Sequence, residues 1–508
     1  MSCTKSGTVV KETSLSAYEE LEARFKRMAA LGEASGMLRW DMSVLMPPGG
    51  AAARVEQLSA LQLTTHGLKT DPRLAELLDA AESETPDDIW RAANLREMRR
   101  SWVHANAVDA DLVDATTRAC STCEMTWREA RAENDFARVL PHLEDVLNLT
   151  RQAAAAKAAA LGRSPYEALL DQYEPDASTV QIDALFGELS AFLPDFLENA
   201  LTRQSERGVG ELPTGPFPAS KQRGLAERLM RELGFEFNAG RLDVSLHPFC
   251  GGVPGDVRIT TRYTEDDFTQ SLMGVLHETG HALYEMGLPD DWRYQPVGQA
   301  RGMALHESQS LLIEMQACRS REYLEFAAPL MRETFDGAGA LWDADNLYRL
   351  YTRVERGCVR VDADEVTYPA HVILRYRLER ALIAGDMKLV DLPGAWNEGM
   401  EELLGIRPSE DRLGCLQDIH WYDGAWGYFP TYTMGAMAAA QLFAAAKAAR
   451  PEIPERISNG DFSPLVGWMR ENLHNKGSSG STDELMQGAT GKPLGAEAFK
   501  GHLQARYG

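Results

Sequence analysis

Apolar residues recur at threes and fours along most of this chain, the period of an amphipathic helix. Residues 14–31, 96–135, 141–161, 178–205 and 219–234 carry the pattern, and it returns after residue 300. Gly162 and Gly234 mark two stops, and the Gly- and Pro-rich stretch 208–218 reads as a loop. The texture changes once, between residues 241 and 263. There Val257 and Ile259 alternate with Arg258 and Thr260, the period of a strand, behind a turn at Gly251-Gly252-Val253-Pro254-Gly255. Paired with 242–246, this segment predicts a small hairpin whose edge backbone can bind an extended peptide. The helical period then resumes through Phe268, Leu272, Val275, Leu276, Leu283 and Met286. Thr264, with acids three residues on, reads as its N-cap, and Gly287-Leu288-Pro289 as its stop. The prediction is a mainly α fold. An N-terminal tail over 1–14 precedes a single large helical body over 15–505, which carries a small β-sheet.

Composition narrows the setting. At 508 residues, 44% of them hydrophobic, the chain has ample apolar material for a large core. Its 52 basic and 75 acidic residues give a net charge of −23, which disfavours nucleic acid, because phosphate needs a basic surface. No apolar run reaches the length of a membrane span. The alanine-rich stretch 436–449 is interrupted by Gln441 and Lys447 and reads as a packed helix. Residues 1–15 lack the apolar stretch of a secretory signal, so a cytoplasmic location is expected. Cys120 and Cys123 form a lone C-x-x-C with no second pair at zinc-finger spacing, and read as reduced thiols.

The chemistry concentrates in the resumed helix, where His277-Glu278-Thr279-Gly280-His281 reads H-E-x-x-H. Histidines four apart stack on one helix face and can grip a single Zn²⁺, while Glu278 can take a proton from a water on that metal. This is the pattern of a zinc peptidase. A catalytic zinc usually has three protein ligands and one open position. Glu307, in Leu305-His306-Glu307-Ser308-Gln309 on the next periodic helix, lies far enough on for one loop and a return. His306 is the rival; neighbours on a helix point about 100° apart, so one of the two faces the metal. Two histidines, a glutamate and a water suit Co²⁺ or Mn²⁺ as well as Zn²⁺.

Several segments taken together resemble the carboxypeptidase Taq family of metallocarboxypeptidases. They are His277-Glu278-Thr279-Gly280-His281, His306-Glu307-Ser308-Gln309, His247-Pro248-Phe249 and Asp256-Val257-Arg258-Ile259-Thr260. Val359-Arg360-Val361-Asp362-Ala363-Asp364 and Gly414-Cys415-Leu416-Gln417-Asp418-Ile419-His420-Trp421 follow in the same order, and Trp40-Asp41 with Met46-Pro47-Pro48-Gly49-Gly50 matches the N-terminal pattern. The resemblance covers nearly the whole chain. It implies an almost wholly helical fold with a deep groove beside the sheet, a homodimer, and a divalent metal, usually zinc or cobalt. It implies removal of single C-terminal residues with broad specificity, proline being poorly accepted. It also implies that Glu307 is the third ligand.

Such an activity needs a group that recognises a free C-terminal carboxylate, and arginine has the planar fork for it. Arg360 is the first choice and Arg356 the second; the alternative for Arg360 is an ion pair with Asp362 or Asp364. Arg258 either lines the groove or holds the hairpin. His247 precedes a proline in extended chain and either lines the groove or braces the hairpin. His420 and Tyr432, with Tyr428 as the rival of Tyr432, are candidates to donate to the substrate or the oxyanion. Tyr368 is placed near the site by the resemblance alone.

Overall fold

The computed structural model describes residues 15–84 and 88–508; the tail expected over 1–14 lies outside the described residues. Helices carry most of the chain, as the period of the apolar positions predicts. The main core runs from Cys123 to Tyr507. A smaller core ties Ala17–Val44 to Pro72–Ser83 and Ile89–Asn106 through Leu21, Phe25, Leu74, Leu78 and Met98. Among the described residues no helix is long and apolar enough to cross a membrane.

Several helix ends differ from expectation, each for a local reason. The stretch 96–135 is two helices, Ile89–Asn106 and Ala110–Glu133. Asp109 starts the second by accepting from Leu112 N at 2.8 Å, a side-chain cap. The helix bearing H-E-x-x-H is Thr269–Met286, so its start is four residues later than an N-cap at Thr264 suggests. The Thr264 and Glu265 carbonyls instead accept from Gln222 Nε2 and Phe217 N, which ties this segment in non-helical form to the start of the helix Ala219–Glu232 and the residues before it. Asp267 then accepts from Thr269 N at 2.7 Å.

The sheet has three strands rather than two. β1 (Gly240–Val244) pairs in parallel with β3 (Asp256–Thr261), and β2 (Phe249–Val253) pairs with β3 in antiparallel register. Gly252 and Gly255, both at positive φ, close the β2–β3 turn. The turn signal at 251–255 concealed β2. Val257 and Ile259 are fully buried and pack with Val275 and Ala282, so the strand alternation seats the sheet on the H-E-x-x-H helix.

Two glycines set the distance between the helices that matter most. Met303–Leu311 lies between Thr269–Met286 and the late helix Pro430–Ala449. A Cβ at Gly280 would sit 2.3 Å from the Gln309 carbonyl oxygen, and one at Gly435 would sit 2.9 Å from the Glu307 side chain. Both contacts are far too short for any larger residue, so these glycines let Met303–Leu311 be gripped from two sides.

Candidate active site

That close packing brings His277, His281 and Glu307 together. Glu307 Oε2 lies 3.3 Å from His281 Nε2 and 3.7 Å from His277 Nε2. One donor atom from each residue falls within 4.8 Å of the other two, a spacing that can hold a metal ion.

The other nitrogen of each imidazole is held from behind. His277 Nδ1 is 2.9 Å from Glu314 Oε2, and the second Glu314 oxygen takes a bond from Arg319. His281 Nδ1 is 2.7 Å from His306 Nδ1, and His306 Nε2 is 2.8 Å from Glu285 Oε1. A proton on the His306 nitrogen facing Glu285 leaves His306 Nδ1 to accept from His281 Nδ1–H. Both Nε2 lone pairs then face the cluster, as ligation requires. His306 thus lies behind His281, and Glu307, its neighbour, is the residue that converges with the two histidines.

The electrostatics favour a cation. Burial opposes charge on His277, but the carboxylates of Glu307, Glu314 and Glu278 outweigh it and raise the imidazole to about 10. Burial likewise opposes charge on Glu307, yet the two imidazoles hold its carboxyl below the usual range. Burial lowers His281 to about 4, helped by the two neighbouring imidazoles. No lysine or arginine among the described residues bonds to Glu278 or Glu307. The donor set, two imidazole nitrogens and a carboxylate oxygen, fits a divalent transition metal. Glu278, 7% exposed, accepts no hydrogen bond from a described residue and is raised to about 7 by burial.

A second charged cluster lies beside the first. Arg360 donates from Nε and Nη2 to Asp418 Oδ1 at 3.1 and 2.8 Å. Arg375 donates to the other Asp418 oxygen at 2.6 Å. The partner of Arg360 is thus Asp418 and neither Asp362 nor Asp364. The guanidinium lies 4.7 Å over the Tyr432 ring, and the Tyr368 hydroxyl is within bonding reach of it. Tyr432 in turn bonds His420 Nε2 through its hydroxyl at 3.1 Å. Burial lowers His420 to about 4, with the two arginines adding to the effect against Asp418, so its ring stays neutral. Burial raises the Tyr432 hydroxyl to about 12, keeping it a donor. Tyr432 sits one turn before Gly435, the residue packed on Glu307, which joins the two clusters. Tyr368 packs edge-on against Tyr432 at 6.3 Å, and Tyr428 does so at 5.1 Å.

Three other candidates fall outside this grouping. Arg258 forms a two-bond pair with Asp256 on its own strand and lies 4.4 Å over the buried Trp40 ring. His247 is exposed between β1 and β2, with its carbonyl engaged by Ser245 Oγ. Arg356 pairs with Glu198. Sequence reasoning missed Glu314, Glu285, Asp418 and Arg375. Glu314 was findable: it follows Glu307 by seven residues, two helical turns along the same face. The Arg375–Asp418 pairing joins segments 43 residues apart and has no local signal.

The sequence model of the carboxypeptidase Taq (M32) metallopeptidase family matches residues 20–507. Thermostable carboxypeptidase 1 of Thermus thermophilus is 37% identical over 97% of this chain and 99% of its own length. Carboxypeptidase 1 of Bacillus subtilis is 31% identical over 95% of this chain and 96% of its own. Among solved structures, Trypanosoma cruzi metallocarboxypeptidase 1 superposes with a TM-score of 0.95 at 41% identity, covering 97% of this chain and 99% of that one. The M32 carboxypeptidase of Deinococcus radiodurans gives 0.91 at 35% identity with the same coverage.

Proposed function

Since the chain belongs to the carboxypeptidase Taq family and is a metallocarboxypeptidase, we propose a division of labour between its two charged clusters. His277, His281 and Glu307 hold the metal, Glu278 is the general base, and Arg360 receives the C-terminal carboxylate of the peptide. The observation that carries this reading is the convergence of the three donor atoms within 4.8 Å, with Glu278 on the same helix as two of them.

A divalent metal bound there supplies Lewis acidity and brings the pKa of a water down to about 7. Glu278 accepts the proton of the attacking water and delivers it to the leaving amine. A carboxylate with no competing hydrogen bond and a raised pKa is suited to both transfers. Tyr432, backed by His420, donates its hydroxyl to the oxygen that gains charge as the carbonyl is attacked; Tyr428 is the alternative donor. Asp418 fixes the plane of the Arg360 guanidinium for the substrate carboxylate, and Tyr368 lines the same end. Arg258 and His247 serve the sheet side of the groove rather than the reacting centre.

The finer assignments complete the reading. Zn²⁺ is the expected metal, with Co²⁺ or Mn²⁺ compatible with the same donors. Single residues leave a free C-terminus with broad preference and proline poorly accepted. Residues 15–505 act as one catalytic domain, in a homodimer, in the cytoplasm. The test is mass spectrometry of paired peptides, one with a free and one with an amidated C-terminus, before and after chelation and Zn²⁺ return. Stepwise loss of single residues from the free peptide alone, abolished by chelation and restored by metal, is expected. Internal fragments, or equal cleavage of the amide, would overturn it.

A further inference from the structure

Glu314, which orients His277, does not sit on an ordinary helix. Met303–Leu311 widens into a π-helical turn over Leu312–Ala317, with Cys318 N bonding Ile313 O at 2.8 Å. Such turns are rare and concentrate at functional sites, because the extra residue per turn redirects side chains and strands backbone groups. Two carbonyls here take their partner from elsewhere in the chain. On the helix Glu497–Tyr507, Arg506 donates Nη1 to Met315 O at 2.6 Å and Nη2 to Gln316 O at 3.3 Å. These are the two residues directly after Glu314.

Arg506 is itself fixed. Its side chain is 8% exposed, and Nη1 also contacts both Glu365 oxygens at 2.9 and 3.0 Å. Glu365 accepts from the Tyr507 hydroxyl at 2.8 Å and lies 3.2 Å from His502 Nε2. One face of a helix distant in sequence thus delivers a neutralised, rigid fork to the end of the π-turn, where a cation complements the helix C-terminus.

We propose that Arg506 is a positioning residue for the metal ligand His277, acting through the π-turn that carries Glu314. The inference rests on the metal-site reading above. Arg506 clamps the backbone directly after Glu314; Glu314 holds His277 Nδ1; His277 Nε2 is thereby aimed at the metal position. Partners that orient a ligand change metal affinity when they are removed, even though they never touch the metal.

The experiment compares wild type, Arg506→Met, Arg506→Lys, Glu314→Gln and the double variant Arg506→Met with Glu314→Gln. Zn²⁺ affinity is read by competition with a chromophoric chelator, and ligand geometry by the visible absorption of the Co²⁺-loaded protein. Arg506→Met should weaken Zn²⁺ binding about tenfold, the low end for such partners, and alter the Co²⁺ bands. Arg506→Lys keeps the charge against Glu365 but cannot bridge two carbonyls, and should fall between. If Arg506→Met does not accumulate folded, Arg506→Lys carries the same readouts. In the double variant the loss should not exceed that of Glu314→Gln alone, since one path is being broken twice. Unchanged affinity and bands with only a lower melting temperature, or additive losses, overturn the inference alone. A wild-type chain that takes up no metal overturns the site assignment with it.

Discussion

The two charged clusters of the candidate site are mirror images in charge and opposites in construction. On the metal side Glu278 and Glu307 meet no lysine or arginine, and His277 is driven up to about 10 by the acids around it. On the arginine side Arg360 and Arg375 share one aspartate, Asp418, and the neighbouring His420 stays neutral. One end is short of positive charge and the other short of negative charge. Under the proposed division of labour, a divalent cation answers the first and a peptide's terminal carboxylate the second. Buried charges without partners are costly, so this double imbalance is what a site built to be completed by metal and substrate requires. The construction differs as much. The metal side comes from two adjacent helices that Gly280 lets touch. The arginine side draws on residues 360, 375, 418, 420 and 432, brought together only by the folded core.

Breaking the metal side should do the most. Glu278→Gln removes the proton carrier while leaving all three donors, so kcat should fall about 10³-fold, within the usual range for a general base. Elemental analysis should still find one metal per chain. A rate near that of wild type would take Glu278 out of the chemistry.

Gly435→Ala tests the packing that joins the clusters. A Cβ 2.9 Å from the Glu307 side chain must push the third donor away. Overpacking of this kind costs about 1–3 kcal/mol, and here both the melting temperature and the metal affinity should drop. A stability loss with unchanged affinity would separate Gly435 from Glu307.

The smallest effect probes how the arginine side is held. Glu379, fully buried, accepts from the Tyr166 hydroxyl, Trp421 Nε1 and Gly427 N, pinning the loop between His420 and Tyr432. Burial raises it to about 7 against those three bonds, and no cation bonds it. Between its ordinary value of 4.5 and about 7, the unfolded chain has released this proton and the folded chain has kept it. The native state then binds more protons, so its contribution to stability falls as pH rises through that window and is level above it. Glu379→Gln should remove this slope. Thermal melts of both proteins from pH 4.5 to 8 would read it, and parallel curves would mean that Glu379 does not titrate there.

The asymmetry in construction also explains what could be read from the chain. The H-E-x-x-H spacing and the apolar stripe around it are local facts, so the helix and the facing of His277 and His281 are legible. Glu307 is legible as the acid of the next helix. The start of the metal helix was misjudged because the Thr264 and Glu265 carbonyls are held by Gln222 and Phe217, more than forty residues earlier. β2 was missed because its glycines read as turn. Asp418 lay inside a recognised motif, but that it binds Arg360 and Arg375 is a property of three segments meeting. Gly280 and Gly435 look like filler in sequence; only the packed helices reveal why a methyl group is too much there.

The central claim is that Arg360 reads the substrate's free terminus while the metal side does the cutting. The direct measurement is the ratio of kcat/KM for a free-acid peptide over its C-terminal amide, in wild type and in Arg360→Met, each at one metal per chain. Truncating one member of a buried charged contact costs about 2–5 kcal/mol, so the ratio should collapse toward unity in the variant through loss on the free acid alone. A ratio that survives the substitution unchanged would contradict the account.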